Sequence, residues 1–433
     1  MSRDRGNGNP VENGNGKMKT MNTPQRKIRL CDHTTCTGCG ACRNRCPAEV
    51  ISMLPDDRRF LNPWIDEPNC VQCGLCQDTC PVLARPYINR FEQPSVFACW
   101  SKNDELLKKS SSGALFTVLA EAVLKEGGVV FGAAFDAAFN LVHQSATDTA
   151  SLVPLRKSKY VQSDTKTTFR ETTQWLEKGK PVLYVGTPCQ VAGLYGFLGA
   201  DHDSLIACDL ACFGVPSPKV FQRYLEYLEK KHSRKIVGVD HRDKAKGWSI
   251  SRESITFDDG SRISTPAIRN PFMRAFMRCY SLRPSCFRCP FRTFPRQSDM
   301  TLCDYWEIRG DATVKSNRDR GISRVLIHSE KGQRLLNHIE PDLISIKRVV
   351  DELNETNPRF LRNPPPLSDQ DDFFAELDTL SFDRLVRKYC PVDPAIVSFV
   401  LEVAYQCFGA ATMLRLDTLL RSIKGKFAQK NSV

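Results

Sequence analysis

Two four-cysteine runs near the start of the chain constrain its fold more than any other feature. They are Cys36-x2-Cys39-x2-Cys42-x3-Cys46-Pro47 and Cys70-x2-Cys73-x2-Cys76-x3-Cys80-Pro81. This spacing is typical of proteins with two 4Fe-4S clusters, in which the fourth cysteine of each run ligates the other cluster. The predicted ligands are Cys36, Cys39, Cys42 and Cys80 (set A) and Cys70, Cys73, Cys76 and Cys46 (set B). Two zinc sites or a disulfide scaffold are the alternatives, although zinc sites usually use separated C-x2-C pairs.

The distribution of cysteines indicates a reducing compartment. The chain has 433 residues and 19 cysteines, and nine of these lie in the first 80 residues. No apolar segment precedes the two runs. Residues 1–26 are rich in Gly, Asn, Lys and Arg, which predicts a disordered tail and no signal peptide. We therefore expect a cytoplasmic protein whose thiols bind metal rather than form disulfides.

Alternating strand and helix patterns follow Pro81 and predict an α/β fold with a mixed sheet. Predicted strands cover residues 95–100, 129–135, 181–185 and 205–210, and predicted helices cover residues 114–125, 190–198 and 218–231. The first two strands and the helix between them have the order of a parallel β–α–β crossover. Residues 236–263, with the turn Asp259-Gly260, predict a β insertion.

Four regions follow from these patterns. Residues 1–26 form the tail, 27–90 an α+β ferredoxin-type module, 91–350 the α/β domain, and 351–433 a helical C-terminal region. Within the last region, residues 395–414 are mostly apolar but include Glu402 and Gln406. A charged residue is costly at the centre of a membrane, which argues against a transmembrane helix. A core or partner-docking helix is favoured over membrane-surface binding.

Positive charge is concentrated in one stretch of a chain whose net charge is +12. Residues 269–296 contain no acid and seven arginines, namely Arg269, Arg274, Arg278, Arg283, Arg288, Arg292 and Arg296. Beside iron–sulfur clusters, this run favours binding of a phosphate-bearing cofactor or an acidic redox partner protein. Nucleic-acid binding and an ordinary solvated surface are the alternatives.

A set of ordered segments resembles the coenzyme F(420) hydrogenase/dehydrogenase beta-subunit family. The segments are Ser111-Ser112-Gly113, residues 185–194, residues 209–218, Lys246-Gly247-Trp248, residues 283–291 and residues 298–306. The resemblance implies a domain that holds FAD and passes electrons between the flavin and iron–sulfur clusters. Relatives use the deazaflavin or other small-molecule substrates, and some belong to bacterial polysaccharide gene clusters.

The resemblance and the turn chemistry together predict where FAD binds. Glycine-containing turns that lead from a strand into a helix bind anionic groups through backbone N–H groups. The predicted flavin residues are Ser111, Ser112, Gly113, Gly186, Thr187, Pro188 and Cys189. Ordinary strand–helix turns are the alternative. Ala114, Cys303 and Glu307 stand where the family has glycine, which weakens the assignment of the deazaflavin as substrate.

The remaining cysteines and histidines leave the catalytic residues unknown. Cys189, Cys212, Cys286 and Cys289 fall inside the family-like segments, and they are interpreted either as ligands of a third iron–sulfur cluster or as reduced structural thiols. Cys31, Cys99, Cys208, Cys279, Cys390 and Cys407 are interpreted as structural. The histidines do not cluster. The predicted function is an iron–sulfur flavoprotein oxidoreductase. It passes electrons between a redox partner protein (a ferredoxin or a reductase), two 4Fe-4S clusters and FAD, to or from a small hydride-accepting substrate. The alternative is an electron-transfer subunit or a non-catalytic scaffold with a degenerate flavin site.

Overall fold

A computed structural model describes residues 28–86, 88–306, 312–352 and 361–392 of the chain. The N-terminal cysteine runs are carried by two short helices and one strand pair. These elements are α1 (Ala41–Arg45), β1 (Ile51–Pro55), β2 (Leu61–Ile65) and α2 (Leu75–Asp78). Strands β1 and β2 pair antiparallel, with Ile51 opposite Ile65. The predicted tail lies outside the described residues.

An eight-stranded mixed sheet forms the centre of the molecule and confirms the predicted fold class. Its strands are β3 (Ser95–Ser101), β4 (Val129–Phe135), β5 (Leu141–Ala146), β6 (Val182–Gly186), β7 (Leu205–Leu210), β11 (Met300–Asp304), β12 (Ser323–Ile327) and β13 (Leu343–Arg348). Their order is β13-β3-β12-β11-β7-β6-β4-β5. Strands β4, β6, β7 and β11 are parallel, and the remaining pairings are antiparallel.

The predicted crossover between the first two strands of this sheet is wrong in one respect. Strand β3 pairs with β12 and β13 rather than with β4. Most of its residues are buried, since the strand lies inside the sheet between two antiparallel neighbours. Local periodicity predicts a buried strand but cannot specify which strand lies beside it.

Helices cover both faces of the sheet. They are α3 (Asp104–Lys108), α4 (Leu115–Lys125), α5 (Thr149–Leu152), α6 (Thr168–Glu177), α7 (Pro188–Leu198), α10 (Ala312–Asn317) and α11 (Glu330–Ile339). Helix α8 (Pro218–His232) packs instead in the core of the smaller sheet. Leu119 and Val123 of α4 pack in a core with Val130 of β4. Val191 and Leu194 of α7 belong to a different core cluster with other sheet residues.

A second, smaller sheet and three further helices enclose an aromatic core. The elements are β8 (Ile236–Asp240), β9 (Arg252–Phe257), β10 (Arg262–Pro266), α9 (Pro271–Met277), α12 (Gln370–Glu376) and α13 (Phe382–Tyr389). The antiparallel order β10-β9-β8 confirms the predicted β insertion. None of the helices within the described ranges is long and apolar enough to cross a membrane. The apolar stretch 395–414 lies outside those ranges.

Candidate electron-transfer centres and an adjoining cavity

The two cysteine runs fold into the same backbone shape. The third and fifth residues of each run have positive φ angles, which are 68° and 78° at Gly38 and Gly40 and 53° and 79° at Gln72 and Gly74. Such turns direct backbone N–H groups inward and form concave sites for anions and iron–sulfur clusters. In the first run, the N–H of Gly38 already donates to the Cys36 sulfur at 3.3 Å. The local geometry therefore fits a cluster at each run.

The thiols of set A lie close together. Burial, with the nearby thiols of Cys80 and Cys36, raises the pKa of Cys39 to about 12. Burial also raises the pKa of Cys42, and the thiols of Cys39, Cys36 and Cys80 add to the rise. The structure thus brings the fourth cysteine of the second run to the first three cysteines of the first run. This is the crossed grouping that the spacing predicts, and cluster ligation itself stays a prediction.

Set B has the reciprocal grouping and lies nearer the surface. Burial raises the pKa of Cys76 to about 11, with contributions from the neighbouring thiols of Cys73, Cys46 and Cys70. These four cysteines border a small void of about 10 Å³. Each set has two buried cysteines, but Cys73 of set B is exposed to solvent, whereas no cysteine of set A is. Set B is therefore the more accessible of the two centres.

The sequence indicates a structural role for Cys31, yet this residue lies at the edge of set A. Its sulfur is 3.6 Å from the Cys80 sulfur. The hydrogen bond between the two thiols lowers the pKa of Cys80 to about 6 and raises that of Cys31. A lowered pKa favours the thiolate, which is the form of cysteine that binds metal. In the sequence, only the position of Cys31, five residues before Cys36, could have indicated that it lies beside set A.

Cys189, Cys212, Cys286 and Cys289, called set C, converge from three separate segments. Burial raises the pKa of Cys189, and the thiols of Cys289 and Cys212 raise it further. Burial likewise raises the pKa of Cys286 to about 12, with the same two neighbours nearby. The backbone N–H of Val215 donates to the Cys286 sulfur at 3.4 Å. The arrangement favours the interpretation of set C as a third cluster site over four unrelated thiols.

Two observations indicate that these sets could hold iron–sulfur clusters: the grouping of the cysteine thiols, and the backbone turns of the two N-terminal runs. Across the part of the chain that the structure describes, no three His, Cys, Asp or Glu side chains are arranged to hold a single metal ion. A cubane spreads its four thiolates around a larger body than one ion.

Helix α7 connects set A to set C. Cys189 lies in its first turn, and Gly193 follows one turn later. An ideal Cβ on Gly193 would lie 2.8 Å from the Cys39 sulfur, and one on Gly196 would lie 2.3 Å from the carbonyl oxygen of Thr79. These glycines let the N-terminal module approach the helix backbone directly. With a rise of about 1.5 Å per residue, the four residues from Cys189 to Gly193 cover about 6 Å of the helix, so sets A and C are neighbours.

A cavity of 470 Å³ lies at the carboxyl ends of β6, β7 and β11, next to set C. Gly186, Leu210 and Cys303 line it at these strand ends, and Cys212 of set C also borders it. Ligands of open α/β sheets bind in this position, and the volume lies within the usual range of about 300–1,000 Å³ for ligand sites.

The predicted flavin residues divide into two groups. Ser111, Ser112, Gly186 and Thr187 line the cavity, whereas Gly113, Pro188 and Cys189 do not. An ideal Cβ on Gly113 would lie 2.4 Å from the carbonyl oxygen of Cys99, so this glycine is needed for packing against β3. Ala114 and Cys303 line the cavity, and Ala114 has a φ of 68°. Glu307 lies outside the described residues.

Cations dominate the charged lining of the cavity. Among the described residues that line it, Lys157, Lys159 and Arg242 are cationic and Asp304 is the single carboxylate. Asp304 pairs with Arg242 at 2.7 Å, and burial lowers the pKa of Lys159 to about 7. A bound anion would restore the charge of this lysine. The cavity is therefore suited to a ligand that carries negative charge, such as a pyrophosphate.

An aromatic pair supports the loop that holds Ser111. The indole N–H of Trp248 donates to the Ser111 carbonyl at 3.1 Å. The ring of Trp248 stacks on Trp306 at 4.2 Å, and the Arg242 guanidinium lies 5.1 Å from the Trp306 ring centre. The segment Lys246-Gly247-Trp248 thus acts at the cavity through its tryptophan.

Much of the arginine run is internal, so its buried members are not part of a solvated surface, and binding of a cofactor or partner by the run stays a prediction. Arg283, Arg292 and Arg296 are 1%, 3% and 3% exposed, whereas Arg269 and Arg288 lie at the surface. Arg292 donates to the Phe213 carbonyl at 2.5 Å, and Arg296 pairs with Asp209 at 3.4 Å. Composition counts the charges but does not reveal which side chains fold inward.

Comparisons with known proteins agree with this geometry. Residues 179–352 match the family described as the C terminus of the coenzyme F(420) hydrogenase/dehydrogenase beta subunit. Residues 35–84 match the 4Fe-4S dicluster domain family. No curated protein matches the chain significantly. A chain in the solved structure of the F(420)-reducing [NiFe] hydrogenase complex from Methanosarcina barkeri is similar over 67% of this chain and 95% of its own length, with 17% identity and a TM-score of 0.44. The two family matches confirm the expected resemblance to the coenzyme F(420) hydrogenase/dehydrogenase beta subunit over residues 179–352, and they support a 4Fe-4S dicluster domain over residues 35–84.

Proposed function

We propose that the protein is an iron–sulfur flavoprotein oxidoreductase that carries electrons between a redox partner protein and FAD, and between FAD and a small hydride-accepting substrate. The observation that carries this proposal is the succession of sites in the fold. Set B is accessible, set A contacts α7, set C lies at the start of α7, and the cavity borders Cys212. Each site is adjacent to the next, which is the arrangement that stepwise electron transfer requires.

The cavity residues are suited to hold FAD. Backbone around Ser111, Ser112, Gly186 and Thr187 would hold the cofactor, while Lys157, Lys159 and Arg242 supply positive charge for its phosphates. FAD supplies the exchange between one-electron transfer and two-electron hydride chemistry. The chain's own contribution is to bind and orient the cofactor, to stabilise its negative charge, and to place it against set C.

The accessible face beside set B is the proposed contact for the redox partner. Val71, next to Cys70, is 65% exposed, and Trp64, next to Ile65 at the border of the set B void, is 53% exposed. Exposed apolar side chains around a redox centre are typical of transient protein contacts. We expect a cytoplasmic setting, because its reducing conditions keep the cysteines available as ligands. A role in polysaccharide biosynthesis is part of this proposal.

Flavin content tests the proposal. Anaerobically purified protein should contain one FAD per chain, measured by its absorbance after release. Gly186→Val should lose flavin and retain its iron, because an added Cβ already lies 3.2 Å from Gln190, which also lines the cavity, and the larger side chain must displace it. Gly238→Val, in strand β8 away from the cavity, is the matched control and should keep both. Wild-type protein that lacks flavin and does not take up added FAD would remove the enzyme proposal.

One observation favours the second candidate, an electron-transfer subunit or scaffold with a degenerate flavin site. Ala114 lines the cavity with a left-handed φ of 68°, a conformation that glycine adopts without strain. Its methyl group also occupies space at the cavity wall. Ala114→Gly should increase the affinity for added FAD if this residue obstructs the site, and iron without any flavin uptake by either protein would support the second candidate.

A further inference from the structure

Arg283 is a deeply buried cation at the junction between sets A and C. The residue is only 1% exposed. Its Nε donates to the carbonyl oxygen of Cys36 at 2.7 Å, and its Nη2 donates to Asn62 Oδ1 at 2.5 Å. The guanidinium also lies 5.4 Å from the centre of the Phe60 ring. Three contacts therefore fix the side chain against the first cysteine run.

The third nitrogen of this guanidinium points into the set A loop. Nη1 has no hydrogen-bond partner among the described atoms. It lies 3.1 Å from the position that a Cβ on Gly38 would occupy, between Cys36 and Cys39. No described carboxylate forms an ion pair with Arg283. Because a buried charge without a counter-charge is strongly unfavourable, the site calls for a negative group at set A.

The same residue leads directly into set C. Its backbone N–H donates to the Val215 carbonyl at 3.0 Å, and its own carbonyl accepts from the Cys286 N–H at 2.9 Å. Arg283 precedes the short 3-10 turn Pro284–Arg288, which carries Cys286. The guanidinium at set A and the backbone at set C thus belong to one rigidly held residue.

An arginine also lies beside set B, but unlike Arg283 it is paired with a carboxylate and partly exposed. Arg170 donates to the carbonyl of Cys46 at 3.0 Å, but its guanidinium also pairs with Glu49. Its side chain is 32% exposed. Pairing and water together cancel much of its field at set B. The two arginines therefore offer a matched comparison, because each contacts the backbone of a predicted ligand and only one is buried without a carboxylate.

We propose that Arg283 is a positioning residue that raises the reduction potential of the set A centre above that of set B. Reduction of a cluster adds one electron and no proton, so the centre gains one unit of negative charge. A buried cation stabilises the reduced form more than the oxidised form, because the surrounding medium screens it weakly. An electron that leaves the reduced set B centre then passes to set A in a favourable step.

This proposal rests on the proposed cluster ligation, so iron content is measured first. Wild-type protein without iron would overturn the proposed function, and with it the basis for any role of Arg283. With iron present, a redox titration of the anaerobic protein, followed by electron paramagnetic resonance, compares wild type with Arg283→Met, Arg283→Lys and Arg170→Met. Cys46→Ser, which should lack the set B cluster, assigns the signals.

Arg283→Met should lower the equilibrium constant for one-electron reduction of set A at least tenfold, which corresponds to about 59 mV. Arg283→Lys keeps the charge and should shift set A by clearly less. The reduction potential of set B should be unchanged in both variants. Arg170→Met should shift the potential of either centre by much less than Arg283→Met shifts that of set A. Equal shifts in the Lys and Met variants, or an unchanged set A in the Met variant, would overturn the proposal. If Arg283→Met does not retain the set A cluster, Arg283→Gln replaces it in the same comparison.

Discussion

The contact between α7 and set A gives the sharpest structural prediction. In Gly193→Ala, the added methyl carbon would lie 2.8 Å from the Cys39 sulfur, 3.0 Å from the Cys39 Cβ and 3.5 Å from the Ala41 Cβ. The first of these distances is shorter than real Cβ contacts, so α1 or α7 must shift. The shift would displace a predicted ligand of set A.

Two opposing effects set the size of the change in stability. Alanine is favoured over glycine inside a helix by about 1 kcal/mol. Overpacking of a close contact costs about 1–3 kcal/mol. The net loss in the free energy of unfolding is therefore about 0–2 kcal/mol, small enough for the variant to fold. The main effect should fall on the set A cluster, since its ligand sulfur is the atom displaced.

Iron content and electron paramagnetic resonance measure this effect, with thermal unfolding as a second readout. Gly193→Ala should lose or strongly alter the set A signal and keep the set B signal. Gly238→Ala is the matched control, because its added Cβ would lie 3.4 Å from the Thr256 Cβ, an ordinary contact. The helix preference alone would make Gly193→Ala about 1 kcal/mol more stable than wild type. That result, together with an unchanged set A signal, would contradict a close contact between α7 and Cys39.

Three further predictions concern the other sites. Cys46→Ser should remove the set B signal and keep that of set A, as resonance spectra of the two proteins would show. Cys286→Ser should lower the iron content by about four per chain if set C holds a cubane. His143 is uncharged in the fold because burial lowers its pKa from 6.5 to about 4. The unfolded chain therefore takes up a proton as the pH falls from 6.5 to 4, and the free energy of unfolding should drop by up to about 3 kcal/mol; His143→Gln should flatten denaturant-measured stability over that window.

The features that could be predicted from the sequence are those set by local spacing. Both cysteine runs, the strand over β7 and the helix over α8 depend on residues close together in the chain, and the structure has them where they were expected. The order of the sheet depends on contacts between distant segments. For that reason, the position of β3 between β12 and β13 could not be derived from its own pattern.

The candidate site was predicted in part for the same reason. Ser111 and Gly186 were expected at a ligand site and do line the cavity, because both follow from turn chemistry. Lys159 and Arg242 were missed, since their importance comes from burial beside the cavity rather than from a motif. Arg283 was counted only as one charge in a basic run. Its burial against Cys36 is a long-range contact that composition does not reveal.

The cofactor content of one anaerobic preparation tests the central claim most directly. Iron, acid-labile sulfide and flavin are measured in the same sample of the full chain. The account predicts about eight irons and eight sulfides per chain from sets A and B, four more of each if set C holds a cubane, together with one FAD. About two zinc ions without iron, or iron without flavin even after FAD is added, would contradict it.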